Sequence, residues 1–198
     1  MICKLSPSAP RLILFAGHAG TGKSTLAKRA LPILIEKTGE DFFFLDKDTV
    51  YGAFSAHVME LTTHNGNDRD SPYYLENLRD WEYRGLIEVA KENLLLGVNV
   101  ILVGPFSREI QSGQMFDPQA LGVPPQTRIQ IAWIDLEENE AKRRMEKRAD
   151  PRDDWKLAHW DQYVLRRINP PQHTAIKRFD NLHFDEGLFN KLIDDLIE

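Results

Sequence analysis

The chain has 198 residues, a length that favours a single domain with its own hydrophobic core. Its composition is 42% hydrophobic and 28% charged, which is ordinary for a globular protein and excludes collagen-like and disordered chains. The net charge of -5 disfavours a nucleic-acid partner held by overall charge but allows a local basic patch. One cysteine, Cys3, excludes an internal disulfide. Because no apolar run suits a signal peptide or a membrane span, we expect a cytoplasmic protein without a membrane partner.

Short apolar runs alternate along the chain with longer segments of helical periodicity, which is typical of a parallel α/β sheet. The first run, 11–16, leads into a glycine-rich loop and a helix from about Ser24 to residue 37, which Pro32 should bend or end. The second run, 41–46, contains three consecutive phenylalanines. A polar stretch at 57–70 follows, and we interpret it as a loop or irregular insert.

The second half of the chain continues the alternation. Ser71 and Pro72 suit the start of one long helix that Gly97 ends. Strands are predicted at 98–103 and 129–134, with a weak fifth strand near 174–177. Asp135 is interpreted as the cap of the helix after strand four, and a C-terminal helix should begin near Glu186.

The segment 17–24, Gly-His-Ala-Gly-Thr-Gly-Lys-Ser, fits the phosphate-binding P-loop pattern. Its glycines allow backbone N–H groups to converge on an anion, and the following helix adds the positive end of its dipole. A dinucleotide fingerprint fails because Thr25 stands where the third glycine should be. We therefore expect a triphosphate, ATP, bound by Gly17, His18, Ala19, Gly20, Thr21, Gly22, Lys23, Ser24 and Thr25. A glycine-rich turn with an exposed lysine is the simpler alternative.

This motif and the strand-two end Leu45-Asp46-Lys47-Asp48-Thr49-Val50 resemble the P-loop kinase family, which includes gluconate kinase, chloramphenicol phosphotransferases, zeta toxins and polynucleotide kinases. The resemblance implies an α/β P-loop NTPase fold, with a five-stranded parallel sheet flanked by helices in the kinase-type strand order and an arginine-bearing lid. It implies one domain over 1–198, with a substrate insert at about 55–71 and a lid at about 141–171. The implied reaction moves the γ-phosphoryl group of Mg²⁺-ATP to a hydroxyl of a small polar molecule.

Family members carry an aspartate at the end of strand two that faces the acceptor hydroxyl. Asp48 is the closest match and Asp46 the second, and such a carboxylate can orient the hydroxyl and accept its proton. Lys23 would hold the β- and γ-phosphates, while Ser24 and Asp46 would bind Mg²⁺. The alternative is that either aspartate only caps the helix near Thr49.

The expected lid contains six cations between residues 141 and 152, a high density in an acidic protein. Arg144 and Arg148 are four residues apart and should share one helix face. Together with Arg152 they could stabilise the transferring phosphoryl group or stack on adenine. A solvated helix whose C-terminal cations suit its dipole explains them equally well.

Strand three departs from the family pattern, in which an acidic residue at its end holds Mg²⁺, because no carboxylate follows it before Glu109. The run 131–135, which ends in Asp135, is an alternative match for that position, although in chain order it is strand four. Two rival functions stay open, a polynucleotide 5′-hydroxyl kinase and a regulatory nucleotide-binding ATPase without an acceptor. A GTPase should show an Asn-Lys-x-Asp motif and a mechanical AAA+ ATPase an Asp-Glu pair on strand three, and both are absent. A monomer and a homodimer both remain compatible with the sequence.

Overall fold

A computed structural model describes residues 9–198, so Cys3 lies outside the described residues. Five parallel strands form one sheet in the order β2-β3-β1-β4-β5. The strands are β1 (Arg11–Ala16), β2 (Phe42–Asp46), β3 (Asn99–Val103), β4 (Arg128–Asp135) and β5 (Ile176–Asp180). The predicted fold class is confirmed, and the fifth strand begins two residues later than expected.

The core lies on both faces of this sheet. On one face, Leu14 and Leu102 pack with Leu86 in one buried cluster. On the other face, Phe15 and Ile101 belong to a second cluster that includes residues of the first and last helices. Because both faces are covered, successive residues of the central strands β1 and β3 are buried apart from Arg11, which explains why these two strands read as continuous apolar runs.

Ten α-helices connect or cover the strands in the described part of the chain. They are α1 (Lys23–Thr38), α2 (Lys47–Thr63), α3 (Pro72–Asn77), α4 (Arg79–Leu95), α5 (Ser107–Gln111), α6 (Pro118–Leu121), α7 (Glu138–Arg148), α8 (Asp154–Ala158), α9 (Trp160–Val164) and α10 (Glu186–Ile197). Short 3₁₀ turns lie at Gln114–Phe116 and Pro151–Asp153. None of the described helices is long and apolar enough to cross a bilayer.

Three local expectations need correction. Pro32 does not end α1; it lies on the exposed side with Lys28, whose carbonyl loses its helical partner and can bind water instead. Residues 57–63 are not an irregular insert, because α2 continues to Thr63 and buries Ser55 and Met59 on its inner face. The long helix expected from Ser71 to Gly97 is two helices, broken at Leu78, where ψ is -40° but φ is -121°.

Asp135 does not cap a helix as predicted. It is the last residue of β4, and its carboxylate accepts hydrogen bonds from Trp133 Nε1 at 3.0 Å and from Arg178 Nε at 2.7 Å. Glu137 instead caps α7, accepting the N–H groups of Asn139 and Glu140. An aspartate after an apolar run can either cap the next helix or accept hydrogen bonds at the end of its strand. For Asp135 the position of Arg178 in β5 decides for the second role.

Candidate functional site

A cavity of about 430 Å³ lies where the carboxyl ends of β1, β2 and β3 meet. The glycine-rich loop after β1, the residues 46–48 after β2 and the segment 103–107 after β3 line it. Arg69, Asp70 and Tyr74, from the connection between α2 and α4, complete one wall. Open α/β sheets bind ligands at this edge.

The glycine-rich loop fits tightly between β1 and α1. Gly20 has φ 79° in the left-handed region, and a Cβ there would lie 2.7 Å from the carbonyl oxygen of Ala141 in α7. Gly22 has φ 88° and precedes α1, whose first-turn N–H groups receive no side-chain cap. These donors are therefore available to an anion, which is the arrangement that the P-loop pattern predicts.

Lys23 begins α1, and its ammonium group donates to the carbonyl oxygen of His18 at 3.0 Å. Burial lowers the pKa of Lys23 to about 8, although the negative charges of Asp48 and Asp46 oppose this effect. The lysine, the loop and both aspartates line the same cavity. An anionic ligand in the cavity would raise the pKa of Lys23 and keep it protonated.

The two aspartates after β2 have different roles in the structure. Asp46 is the N-cap of α2, and one of its carboxylate oxygens accepts the N–H of Asp48 at 2.9 Å. Capping is therefore one role of Asp46 in the structure. Asp48 lies among three cations, with Lys47 Nζ at 3.1 Å, Arg69 Nη2 at 3.4 Å and Arg152 Nη1 at 3.3 Å. These cations hold the pKa of Asp48 well below its usual range against the opposing effect of burial. Asp48 is therefore a permanently charged hydrogen-bond acceptor.

A buried charge cluster lies behind Asp48. Glu82 of α4 accepts hydrogen bonds from Lys47 Nζ at 2.8 Å, from Tyr74 Oη at 2.5 Å, from Arg69 Nη2 at 3.3 Å and from Ser55 Oγ. These contacts fix the positions of Lys47 and Arg69, the two cations that contact both Glu82 and Asp48. Sequence reasoning missed this cluster, although Glu82 lies midway between Leu78 and Leu86 on the apolar face of the helix. A carboxylate at such a position indicates a buried partner.

A second buried ion pair explains why Glu109 is not a substitute for the carboxylate missing after β3. Arg79 contacts Glu109 through two parallel hydrogen bonds of 2.7 and 2.9 Å. Its guanidinium group also lies 4.0 Å from the centre of the Tyr83 ring. Glu109 is thus occupied by Arg79, and in the described residues no group of three or more His, Cys, Asp or Glu could hold a metal ion.

The three candidate arginines all line the cavity, and each already has a protein partner. Arg144 donates to Glu140 at 2.8 Å and to the carbonyl oxygen of Asn181 at 2.8 Å. Arg148 bonds to the buried Asp153. Arg152 bonds to Asp150 at 2.6 Å and also reaches Asp48. The structure therefore places all three arginines in the wall of the cavity that the loop and Asp48 also line, and Arg152 alone of the three pairs with Asp48.

The model of a family described as an AAA domain matches residues 12–171. The chain belongs to this AAA-domain family. In this AAA domain β3 ends at Val103 without an acidic residue. No curated protein sequence matches the chain.

Solved structures with the same fold as this AAA domain include several kinases. The APS kinase CysC of Mycobacterium tuberculosis, in complex with AMPPNP and APS, is 19% identical with a TM-score of 0.64 and covers 97% of this chain and 100% of its own. A sugar kinase from Janibacter sp. is 20% identical with a TM-score of 0.60, over 96% of this chain and 95% of its own. Kti12 of Chaetomium thermophilum with ADP-AlF3 is 16% identical with a TM-score of 0.63, over 95% and 97%. These likenesses show a P-loop kinase-type fold.

Proposed function

We propose that the protein transfers the γ-phosphoryl group of ATP to a hydroxyl of a small polar molecule, within one domain that spans the chain. The observation that carries this proposal is that Lys23 and Asp48 line one cavity above the sheet. The cavity thus contains donors for phosphate oxygens, here called its nucleotide end, and a charged acceptor for a hydroxyl, here called its acceptor end. A site that only binds nucleotide has no need of the second group.

The nucleotide end is formed by the loop of residues 17–25. The uncapped N–H groups at the start of α1 and the ammonium group of Lys23 would hold the phosphates. Arg144 and Arg148, on the face of α7 toward the cavity, would place positive charge beside the phosphoryl group as it moves. Both arginines would have to exchange part of their present partners, Glu140 and Asp153, for phosphate oxygens.

At the acceptor end, Asp48 would receive the hydrogen bond of the attacking hydroxyl and orient its oxygen. Because its pKa is so low, Asp48 is a weak base, and its main contribution would be orientation. This suits phosphoryl transfer, in which a loose transition state needs little removal of the proton before the P–O bond breaks. Arg152, which touches Asp48, would link the acceptor to the phosphate being transferred.

The fold family implies Mg²⁺, and the donor set of the cavity fits it in part. The Ser24 hydroxyl and the Asp46 carboxylate both line the cavity and are oxygen ligands of the kind that Mg²⁺ takes. One Asp46 oxygen accepts the N–H of Asp48 in the helix cap, which leaves the other oxygen for a metal. When bound, Mg²⁺ would neutralise charge on the phosphates.

The proposal is tested with acceptor panels of sugars, nucleosides, antibiotics and oligonucleotides with a 5′-hydroxyl, by measuring ADP release and the labelled product. Lys23→Ala should abolish transfer, because it removes the phosphate-binding cation. Lys28→Ala is the matched control, since Lys28 lies on the exposed side of the same helix. Transfer that persists in Lys23→Ala would contradict the proposal.

Two further variants separate the roles of the aspartates. Asp48→Asn should lower kcat at an unchanged Mg²⁺ requirement, whereas Asp46→Asn should raise the Mg²⁺ concentration needed for half-maximal rate. ATP binding without transfer to any acceptor would favour a regulatory nucleotide-binding protein. Transfer to the oligonucleotides alone would favour a polynucleotide kinase.

A further inference from the structure

The segment 160–168, here called the clasp, contacts the glycine-rich loop at two adjacent residues. His18 Nε2 lies 3.0 Å from the carbonyl oxygen and 3.2 Å from the amide nitrogen of Ile168, so either tautomer of the ring finds a partner there. The N–H of Ala19 donates to the hydroxyl oxygen of Tyr163 at 2.9 Å. The clasp is distant from the loop in sequence, so both contacts are tertiary.

The Tyr163 hydroxyl has an unused hydrogen-bond donor. Its oxygen accepts the N–H of Ala19, but among the residues that the structure describes nothing receives its proton. The side chain is only 8% exposed and its ring packs against Trp160, with ring centres 5.4 Å apart. Burial raises the pKa of the Tyr163 hydroxyl well above its usual range, so the proton is retained over the physiological range. A rigid, protonated donor is therefore present in the wall of the cavity.

The position of the Tyr163 hydroxyl indicates which group of a ligand it would contact. Tyr163 is bonded to Ala19, which precedes Gly20, and the cavity at this point is also lined by Gly22 and Lys23. The uncapped N–H groups at the start of α1 and the ammonium group of Lys23 are donors suited to an anion. A hydroxyl that already accepts a loop N–H becomes a stronger donor, since hydrogen bonds in a chain polarise one another.

We propose that Tyr163 is a nucleotide-binding residue, whose hydroxyl donates a hydrogen bond to a phosphate oxygen while it accepts the N–H of Ala19. The inference rests on the proposed function only in taking a nucleoside polyphosphate as the ligand of the loop. In sequence, Tyr163 lies far from the phosphate-binding motif and in the segment expected as a lid, so the motif alone does not reveal it.

The experiment measures the affinity of adenosine, ADP and AMPPNP by calorimetry for the wild-type protein, Tyr163→Phe and the control Tyr73→Phe. Tyr73 is a partly exposed tyrosine that does not line the cavity, so its variant makes the same chemical change elsewhere. Loss of a hydrogen bond to a charged group should weaken ADP and AMPPNP binding by about tenfold or more, with adenosine unchanged. Equal weakening of all three ligands, or no weakening of AMPPNP, would overturn the proposal.

A second variant separates donation to phosphate from simple support of Ala19. A fluorinated tyrosine at position 163 is a stronger donor and a weaker acceptor than tyrosine. AMPPNP should bind it at least as tightly as the wild type if the hydroxyl donates to phosphate, and less tightly if its only role is to accept from Ala19. A wild-type protein that binds AMPPNP but transfers no phosphoryl group refutes the proposed function alone. One that binds none of the nucleotides refutes both.

Discussion

Replacing Glu82 by alanine removes the carboxylate that four side chains share. Two of them, Lys47 and Arg69, are cations with 6% exposure each, and they cannot turn to water without moving the helices around them. Removing one partner of a buried ion pair costs about 3–5 kcal/mol, because it leaves an uncompensated charge. Both cations retain Asp48 as a partner within 3.4 Å after the substitution. We therefore expect a loss of unfolding free energy at the lower end of this range, about 3 kcal/mol.

This loss is a large share of the stability of an ordinary domain, which is about 5–15 kcal/mol. For a chain of this length, 1 kcal/mol lowers the melting temperature by roughly 2–4 °C, so Glu82→Ala should melt about 6–12 °C below the wild type. Urea unfolding followed by circular dichroism gives the free energy directly. The m-value should stay constant if the native fold is retained.

Glu88→Ala is the matched control, because Glu88 lies on the same helix and pairs with Lys91 at 3.4 Å on the surface. Such exposed pairs contribute roughly 0.3–0.5 kcal/mol. Equal unfolding midpoints for Glu82→Ala and Glu88→Ala would refute the assignment of Glu82 as the centre of a buried charge cluster.

Two other predictions concern the glycine-rich loop. Burial lowers the pKa of His18 from 6.5 to about 4, so the folded state prefers the neutral ring. The contribution of this preference to the free energy of unfolding is fully present above pH 6.5 and is lost as the pH falls toward 4. At pH 4.5 the loss is about 2–3 kcal/mol, and His18→Asn should flatten the fall in unfolding free energy between pH 6.5 and 4.5; an unchanged slope would contradict this. Gly20→Ala should destabilise the protein by about 1–3 kcal/mol more than Gly113→Ala, since the two share a positive φ of 79° and 84° but only the first Cβ meets the backbone of Ala141. Equal unfolding free energies would show that α7 does not lie against the loop.

Local signals sufficed for the sheet and for the position of the glycine-rich loop. The central strands are buried on both faces, so their apolar runs stand out, and the loop motif depends on residue types at fixed spacing in one short segment. Asp48 and the arginines at 144, 148 and 152 could be placed because the family resemblance supplies their position relative to that loop. Each of these predictions rests on neighbours in sequence or on a known pattern.

The remaining parts of the site depend on contacts between distant segments. Whether Asp135 caps a helix or binds Arg178 is decided by the pairing of β4 with β5, which no local pattern reports. The same holds for Glu82, whose partners come from α2, α3 and the segment between them, and for Tyr163, whose partner is a backbone N–H. The helix that extends over 57–63 was missed for another reason, because its polar outer face resembles a loop.

The ion pairs around the cavity have a consequence for how the protein responds to salt. Arg148 and Arg152 are already neutralised by Asp153 and Asp150, so a phosphate that recruits them replaces one anion by another and does not meet an open basic surface. Such an exchange releases few counterions from the arginines into solution. Nucleotide affinity should therefore depend on ionic strength less steeply than at an exposed cluster of arginines, where released counterions contribute to binding. An acidic protein can in this way contain an anion site that is selective for the geometry of its ligand and insensitive to polyanions in general.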